Sequence, residues 1–344
     1  MDTSVFQKFQ TSLIAKRQNL VGWLGQTQPT KKHIQLGTVD EQAVKEHFEV
    51  IDQTLEKISD RTLGICEVCH GEIETELLEM DYTACVCLGD LSDQERSQLE
   101  ADLVLSAVVQ RALLPQEVPA IPDFSLAAFS RPAQFVGGDY FDFLQFQDGA
   151  YGLIIADAMG HGISAGMVMS SFQTAMRTLV PEKVSPVEVL ERINHIILHN
   201  INYITFVTAF LCRFDPQTHG LTFSNAGQNP PLHYRRREGD VQWLKPTGAA
   251  LGVIEGYCLK SETITLSDGD ILLFYTDGLT EAVNQRNEAF GSERLAELVS
   301  QNPDLSAQNL VRLVRQKVED FTGGRPLEDD ITLIAGKLEK SPAA

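Results

Sequence analysis

Residues Tyr151-Gly152-Leu153-Ile154-Ile155-Ala156-Asp157-Ala158-Met159-Gly160-His161-Gly162 decide how the rest of this chain is read. The run from Tyr151 to Ala156 reads as a buried strand, and it delivers Asp157 to the strand end just before a glycine-rich turn. Three other short acidic signatures repeat the device: Gly137-Gly138-Asp139, Thr276-Asp277-Gly278 and Glu328-Asp329-Asp330. Apolar runs adjoin two of them, Ile271 to Tyr275 before Asp277 and Ile331 to Ala335 after Asp330. Carboxylates gathered from distant parts of a chain suit a pair of hard divalent cations, because Mg²⁺ and Mn²⁺ prefer oxygen ligands in a near-octahedral shell. The pattern points to metal-assisted phosphate chemistry.

Outward from that strand, the rear of the chain alternates apolar runs with hairpin-like turns. Strands are expected at Phe124 to Phe129, Tyr140 to Phe146, Tyr151 to Ala156, Ile204 to Phe214, Leu221 to Ser224, Leu232 to Tyr234, Val241 to Leu244, Glu262 to Leu266, Ile271 to Tyr275 and Ile331 to Lys337. Helices are expected at about Ser164 to Leu179, Pro186 to Asn200, Ser292 to Ser300 and Ser306 to Phe321. Long runs of strands with helices in pairs favour an α+β fold over a doubly wound sheet. Two packed sheets covered by helices on both sides accommodate this order.

A chain of 344 residues suggests two domains, one of them small. The organisation expected is a helical, cysteine-bearing region over 1–90, a linker over 91–122 and a catalytic domain over 123–340. With 43% apolar and 22% charged residues the composition is that of a globular protein, and a net charge of -19 disfavours nucleic acid or an anionic membrane as a partner. Arg235-Arg236-Arg237 reads as a solvated turn. Neither a signal sequence nor a run of ~18 apolar residues is present, so a cytoplasmic location is expected.

In the front third, Val44, Phe48, Ile51, Leu55 and Ile58 are spaced alternately four and three along a helix over 39–61. A second helix is expected over 4–24. The two form a hairpin, or the seam pairs with another chain as a homodimer. Cys66-Glu67-Val68-Cys69 and Cys85-Val86-Cys87 follow, and four thiolates would close a tetrahedral structural zinc site, with His70 as a substitute ligand. With Ile58 to Gly64 before it, this segment resembles the zinc finger of the DksA/TraR family, although the tight Cys85-Val86-Cys87 pair departs from that pattern. Ser92 and Glu95 make a capping box for a helix running towards Leu114. Its latter half, Leu103 to Val109, is apolar on nearly every face and is expected to be covered on two sides, either between the two domains or against a second protomer. Pro115 ends it.

Six motifs in order resemble the PPM metal-dependent protein phosphatases, specifically the SpoIIE/RsbU group, over about Leu99 to Lys337. They are Gln110 to Pro115, Arg131 to Ala133 leading into Val136 to Asp142, the Asp157 motif, Asn225 to Pro231, Thr276 to Glu281 and Asp329 to Leu333. Gln228 stands where that group commonly has histidine. The resemblance implies an αββα sandwich with two Mn²⁺ or Mg²⁺ ions between the sheets. Asp157 would bridge the ions, Asp139 and the Ala158 carbonyl would serve one, and Asp277 with Asp329 the other, Asp330 competing with Asp329 for the last place.

His161 is a candidate proton donor to the leaving alkoxide, or a turn histidine bonded to backbone. Arg131 is a candidate fork for the substrate phosphate, or half of a structural ion pair. Cys212 and Cys258 read as small core residues. The resemblance implies a protein serine/threonine phosphatase whose substrate is a phosphorylated protein, such as a STAS-domain anti-sigma-factor antagonist. The competing reading is a transcription-associated binding module that uses the finger, with the rear domain as scaffold.

Overall fold

The computed structural model describes residue 14 and residues 41–60, 62–73, 78, 86, 87, 89, 93–160, 162–200, 206–253 and 258–339. The expected helix over 4–24, the cap at Ser92, and both Cys85 and His161 lie outside the described residues, Ile14 apart. Two compact units divide the chain, one drawn from Met1–Asp102 with Asn202–Ile204 and the other from Leu103–Ile201 with Thr205–Ala344.

In the front unit, helix α1 (Glu41–Ser59) buries Ile51, Thr54 and Ile58. A tight turn follows in which Cys66 N donates to the Gly71 carbonyl (2.9 Å), His70 N donates to the Cys66 carbonyl (3.0 Å), and Ile65 bridges to Glu72. A small cluster of Cys66, Ile73, Leu78 and Cys87 packs around it. Helix α2 (Asp93–Leu113) runs across the division between the units.

Among the described residues the rear unit holds ten strands: β1 (Phe124–Arg131), β2 (Asp139–Gln145), β3 (Tyr151–Ala158), β4 (Val207–Asp215), β5 (Gly220–Ala226), β6 (Leu232–Arg235), β7 (Asp240–Trp243), β8 (Glu262–Thr265), β9 (Ile271–Tyr275) and β10 (Ile331–Leu338). They form two antiparallel sheets, ordered β1-β10-β9-β6-β7 and β2-β3-β4-β5-β8. Period-two alternation sends one face of each strand inward. Phe124, Phe141, Ile155, Phe210, Phe223, Phe274 and Ile334 meet in a core between the sheets.

Each outer face is closed by a helical pair. Helices α3 (Gly162–Leu179) and α4 (Pro186–Asn200) cover the second sheet through Met169, Phe172, Met176, Leu190 and Ile193. A short helix, α5 (Asp277–Glu281), follows β9, and α6 (Gly291–Gln301) and α7 (Ala307–Thr322) cover the first sheet. α7 shows why these segments are helical: Leu310, Val311, Val314 and Val318 make one apolar stripe, the Ser306 side chain caps the Asn309 amide, and Gly323 closes the end at φ 60°. The outcome is the α+β, αββα sandwich expected.

Val104, Leu105, Val108 and Val109 on α2 are exposed in the single chain, which leaves cover by a second protomer as the standing expectation. One expectation fails in the packing. Cys258 is exposed as well, in a stretch outside any strand, whereas Cys212 lies in β4 and burial pushes its thiol up to about 12.

Candidate metal centre and active site

Antiparallel register sets Asp139, at the start of β2, directly opposite Asp157, near the end of β3. In the other sheet β9 and β10 are antiparallel neighbours, so the end of β9 and the start of β10 share one edge, and Asp277 and Asp329 sit there. Hydrogen bonds join the sheet ends, among them Thr276 Oγ1 donating to Asp139 Oδ2 (2.8 Å) and Gly138 N donating to Asp330 Oδ2 (2.5 Å). Four acidic signatures, spread over nearly two hundred positions, thus reach one end of the sandwich.

Their electrostatics follow from crowding. Burial, and then the charges of Asp157 and Asp330, hold the Asp139 carboxyl well above the usual range. Asp157 is pushed up to about 8, by burial first and then by Asp277, Asp329 and Asp330. Asp277 is raised by burial and by Asp329. Such a group holds its full charge only when a countercharge arrives, and an all-oxygen donor set fits hard divalent ions. Among the described residues no three of these carboxylates offer ligand oxygens within 4.8 Å of one another.

Asp330 differs from Asp329. Its side chain is buried, with Oδ1 accepting from Ala133 N (2.7 Å) and Oδ2 from Gly138 N (2.5 Å) and Asp139 N (3.4 Å). Asp329 is half-buried, and its Oδ1 accepts from Asp330 N (2.8 Å). Ala158 is buried beside Asp157, with its N–H on the Gly138 carbonyl (3.1 Å).

Arg131 is not brought to the aspartates. On β1 it has the parity of Ala127 and Phe129, which face the helices, and it lines a cavity of about 170 Å³ with Arg315 and Val318 of α7. Gln228 is buried and structural: its N accepts no role in the cluster but donates to Asn225 Oδ1 (2.8 Å), its Nε2 donates to the Tyr275 carbonyl (3.3 Å), and its Oε1 accepts from Thr208. Thr276 and Gln110 lie inside motifs quoted above, but sequence reading gives neither a role. The Gln110 amide grips Gly137 at both ends, Nε2 donating to its carbonyl (2.6 Å) and Oε1 accepting from its N–H (2.9 Å). Nothing in a lone threonine or glutamine signals such a contact beforehand.

The front unit carries a second cluster. Sγ atoms of Cys66, Cys69 and Cys87 lie within 4.8 Å of one another, and Cys69 and Cys87 are 3.7 Å apart. Backbone amides point at the sulfurs: Val68 N and Cys87 N at Cys66 Sγ (each 3.4 Å), and Gly71 N at Cys69 Sγ (3.4 Å). Donors aimed at sulfur favour thiolate over thiol.

Two antiparallel sheets between helical layers, with carboxylates at one sheet end, define the PP2C-type class of phosphatase fold. A solved SiaA PP2C domain from Pseudomonas aeruginosa superposes with TM-score 0.62 at 20% identity, covering 72% of this chain and 98% of that one. Solved RsbU and RsbW domains from Mycobacterium tuberculosis superpose with TM-score 0.57 at 29% identity, over 67% of this chain and 64% of theirs. In sequence the chain is 30% identical over 244 residues to the phosphoserine phosphatase RsbU of Bacillus subtilis, covering 70% of each protein. Residues 147–339 match the Stage II sporulation protein E (SpoIIE) family, and the chain belongs to that family. Among the described residues no helix is long and apolar enough to cross a membrane.

Proposed function

We propose that this chain is a metal-dependent protein serine/threonine phosphatase that hydrolyses phosphoserine and phosphothreonine monoesters on a partner protein. The observation that carries the reading is the meeting of Asp139, Asp157, Asp277 and Asp329 at one end of the sandwich, with carboxyls held above their ordinary range wherever a shift is resolved. Asp157 would be shared between two Mn²⁺ or Mg²⁺ ions, with Asp139 and the Ala158 carbonyl available to hold one and Asp277 with Asp329 the other. Asp329 is preferred to Asp330 because both oxygens of Asp330 are engaged by backbone amides. When bound, the ions offset the charge of the phosphate dianion and make water acidic enough to attack near neutral pH.

The chain's own residues do the rest. Strand register fixes Asp139 against Asp157, and Thr276 holds the Asp139 carboxylate from the opposite sheet. His161 is retained as candidate proton donor, acting on the serine or threonine alkoxide as it leaves. Arg131, on the helix-covered face, is set aside from phosphate binding. By likeness to the RsbU group, the substrate is a phosphorylated STAS-type anti-sigma-factor antagonist or a related signalling protein. With Mn²⁺, purified protein is expected to hydrolyse p-nitrophenyl phosphate and a phosphoserine peptide, and Asp157→Ala to abolish both. Equal rates in the variant would end the reading.

In the front unit, Cys66, Cys69 and Cys87, with Cys85 proposed as fourth ligand, would hold one structural zinc. The converging sulfurs and the amides aimed at them support this. The stripe Val104, Leu105, Val108 and Val109, at three- and four-residue spacing on α2, supports a homodimer formed through the front helices. Sedimentation should then show a dimer for the full chain and a monomer for Leu105→Asp; a monomeric wild type would refute it.

A further inference from the structure

We infer that Asp330 is a positioning residue: its carboxylate holds the loop from Ala133 to Gly138 so that Asp139 is delivered to the metal centre. The inference rests on the phosphatase reading above and names the residue that keeps its site in shape. An ionised carboxylate only accepts hydrogen bonds, and this one accepts three from the backbone of a single loop, at Ala133, Gly138 and Asp139. The loop leads into β2 of one sheet, whereas Asp330 immediately precedes β10 of the other. The contact therefore ties the two sheets together at the end where the ligands gather.

Neighbouring residues are shaped to the same contact. A Cβ on Gly137 would lie 2.5 Å from Asp330 Oδ2, so the carboxylate occupies the space a side chain would need. A Cβ on Gly278, just after Asp277, would lie 2.1 Å from the Asp330 carbonyl oxygen. Glycine on either side lets Asp330 seat against both ligand-bearing segments. A parallel tie runs beside it: Thr276 Oγ1 donates to Asp139 and accepts from Thr332 N (2.9 Å), two residues after Asp330.

The test uses the full chain in two variants, Asp330→Asn and Gly137→Ala, the second displacing the carboxylate without altering it. Circular dichroism melts first establish that both fold. In metal-free protein, hydrogen exchange over 132–139 should quicken in each variant. By calorimetry Mn²⁺ should bind about tenfold or more weakly, the usual loss when a supporting contact of a metal ligand is removed. Turnover should return towards the wild-type kcat at saturating Mn²⁺, with substrate KM unchanged. Unaltered exchange with unaltered Mn²⁺ affinity would overturn the assignment, and so would kcat lost at every Mn²⁺ concentration with exchange unaltered, which would make Asp330 a ligand. Should the wild type itself bind no Mn²⁺, the phosphatase reading falls, while the exchange rates still decide whether Asp330 holds the loop.

Discussion

The two clusters of candidate ligands in this chain are built in opposite ways. The thiols come from one short stretch, Cys66 to Cys87, and a local turn with its own amides shapes their surroundings. The carboxylates come from four stretches between Asp139 and Asp330, and only the completed sandwich brings them together. A local site of this kind can be assembled by a metal ion that takes the place of a core. A distributed site is assembled by the fold before any metal arrives, and its crowded carboxyls store unfavourable electrostatics until the ions come. Ligand chemistry separates them further, soft sulfur suiting zinc and hard oxygen suiting Mn²⁺ or Mg²⁺.

That contrast gives the largest expected effect. Elemental analysis of the full chain should find zinc and manganese lost independently. Asp157→Ala should lose manganese and keep about one zinc per chain, and Cys66→Ser should lose zinc and keep manganese, since each site selects its ion by donor type. Simultaneous loss of both metals in either variant would break the comparison.

Much of this division is legible in the sequence, and the misses have physical causes. All ten strands and four rear helices are expected within a few residues of where they lie, because sheets buried on both faces print as nearly continuous apolar runs. α5 is missed: its five residues are too few for helical periodicity, and Asp277-Gly278 reads as a turn. Asp329 and Asp330 are chemically identical in sequence, and only the direction of each side chain distinguishes them, one collecting backbone amides. Arg131 draws a phosphate role from its charge, whereas Ala127 and Phe129 on the same face mark it as helix-facing. The apolar half of α2 is read correctly as unusual, and the single chain leaves it bare. Composition shows that such a face needs cover; it does not show what supplies it.

The smallest expected effect is a pH dependence that belongs to the carboxylate cluster alone. Asp157, pushed up to about 8 by burial and by its acidic neighbours, keeps its proton in the folded, metal-free protein at pH values where the unfolded chain has released it. The stability this contributes is complete below the ordinary aspartate range, near pH 4, and is lost as pH rises through about 8. The slope cannot exceed about 1.4 kcal/mol per pH unit for each such proton, and for a unit of this size a loss of that order lowers the melting temperature by a few degrees. Metal-free wild type should therefore melt progressively lower between pH 5 and about 8, measured as the difference from Asp157→Asn so that histidines and carboxyls remote from the cluster cancel. Mn²⁺ competes with these protons, so the stabilisation it confers should grow over the same interval. The thiol site should contribute nothing to this difference between variants, because the substitution leaves it intact. A wild type whose melting temperature rises relative to Asp157→Asn across that window would show carboxylates that do not crowd one another, and with them would go the distinction between a site made by its fold and one made by its ion.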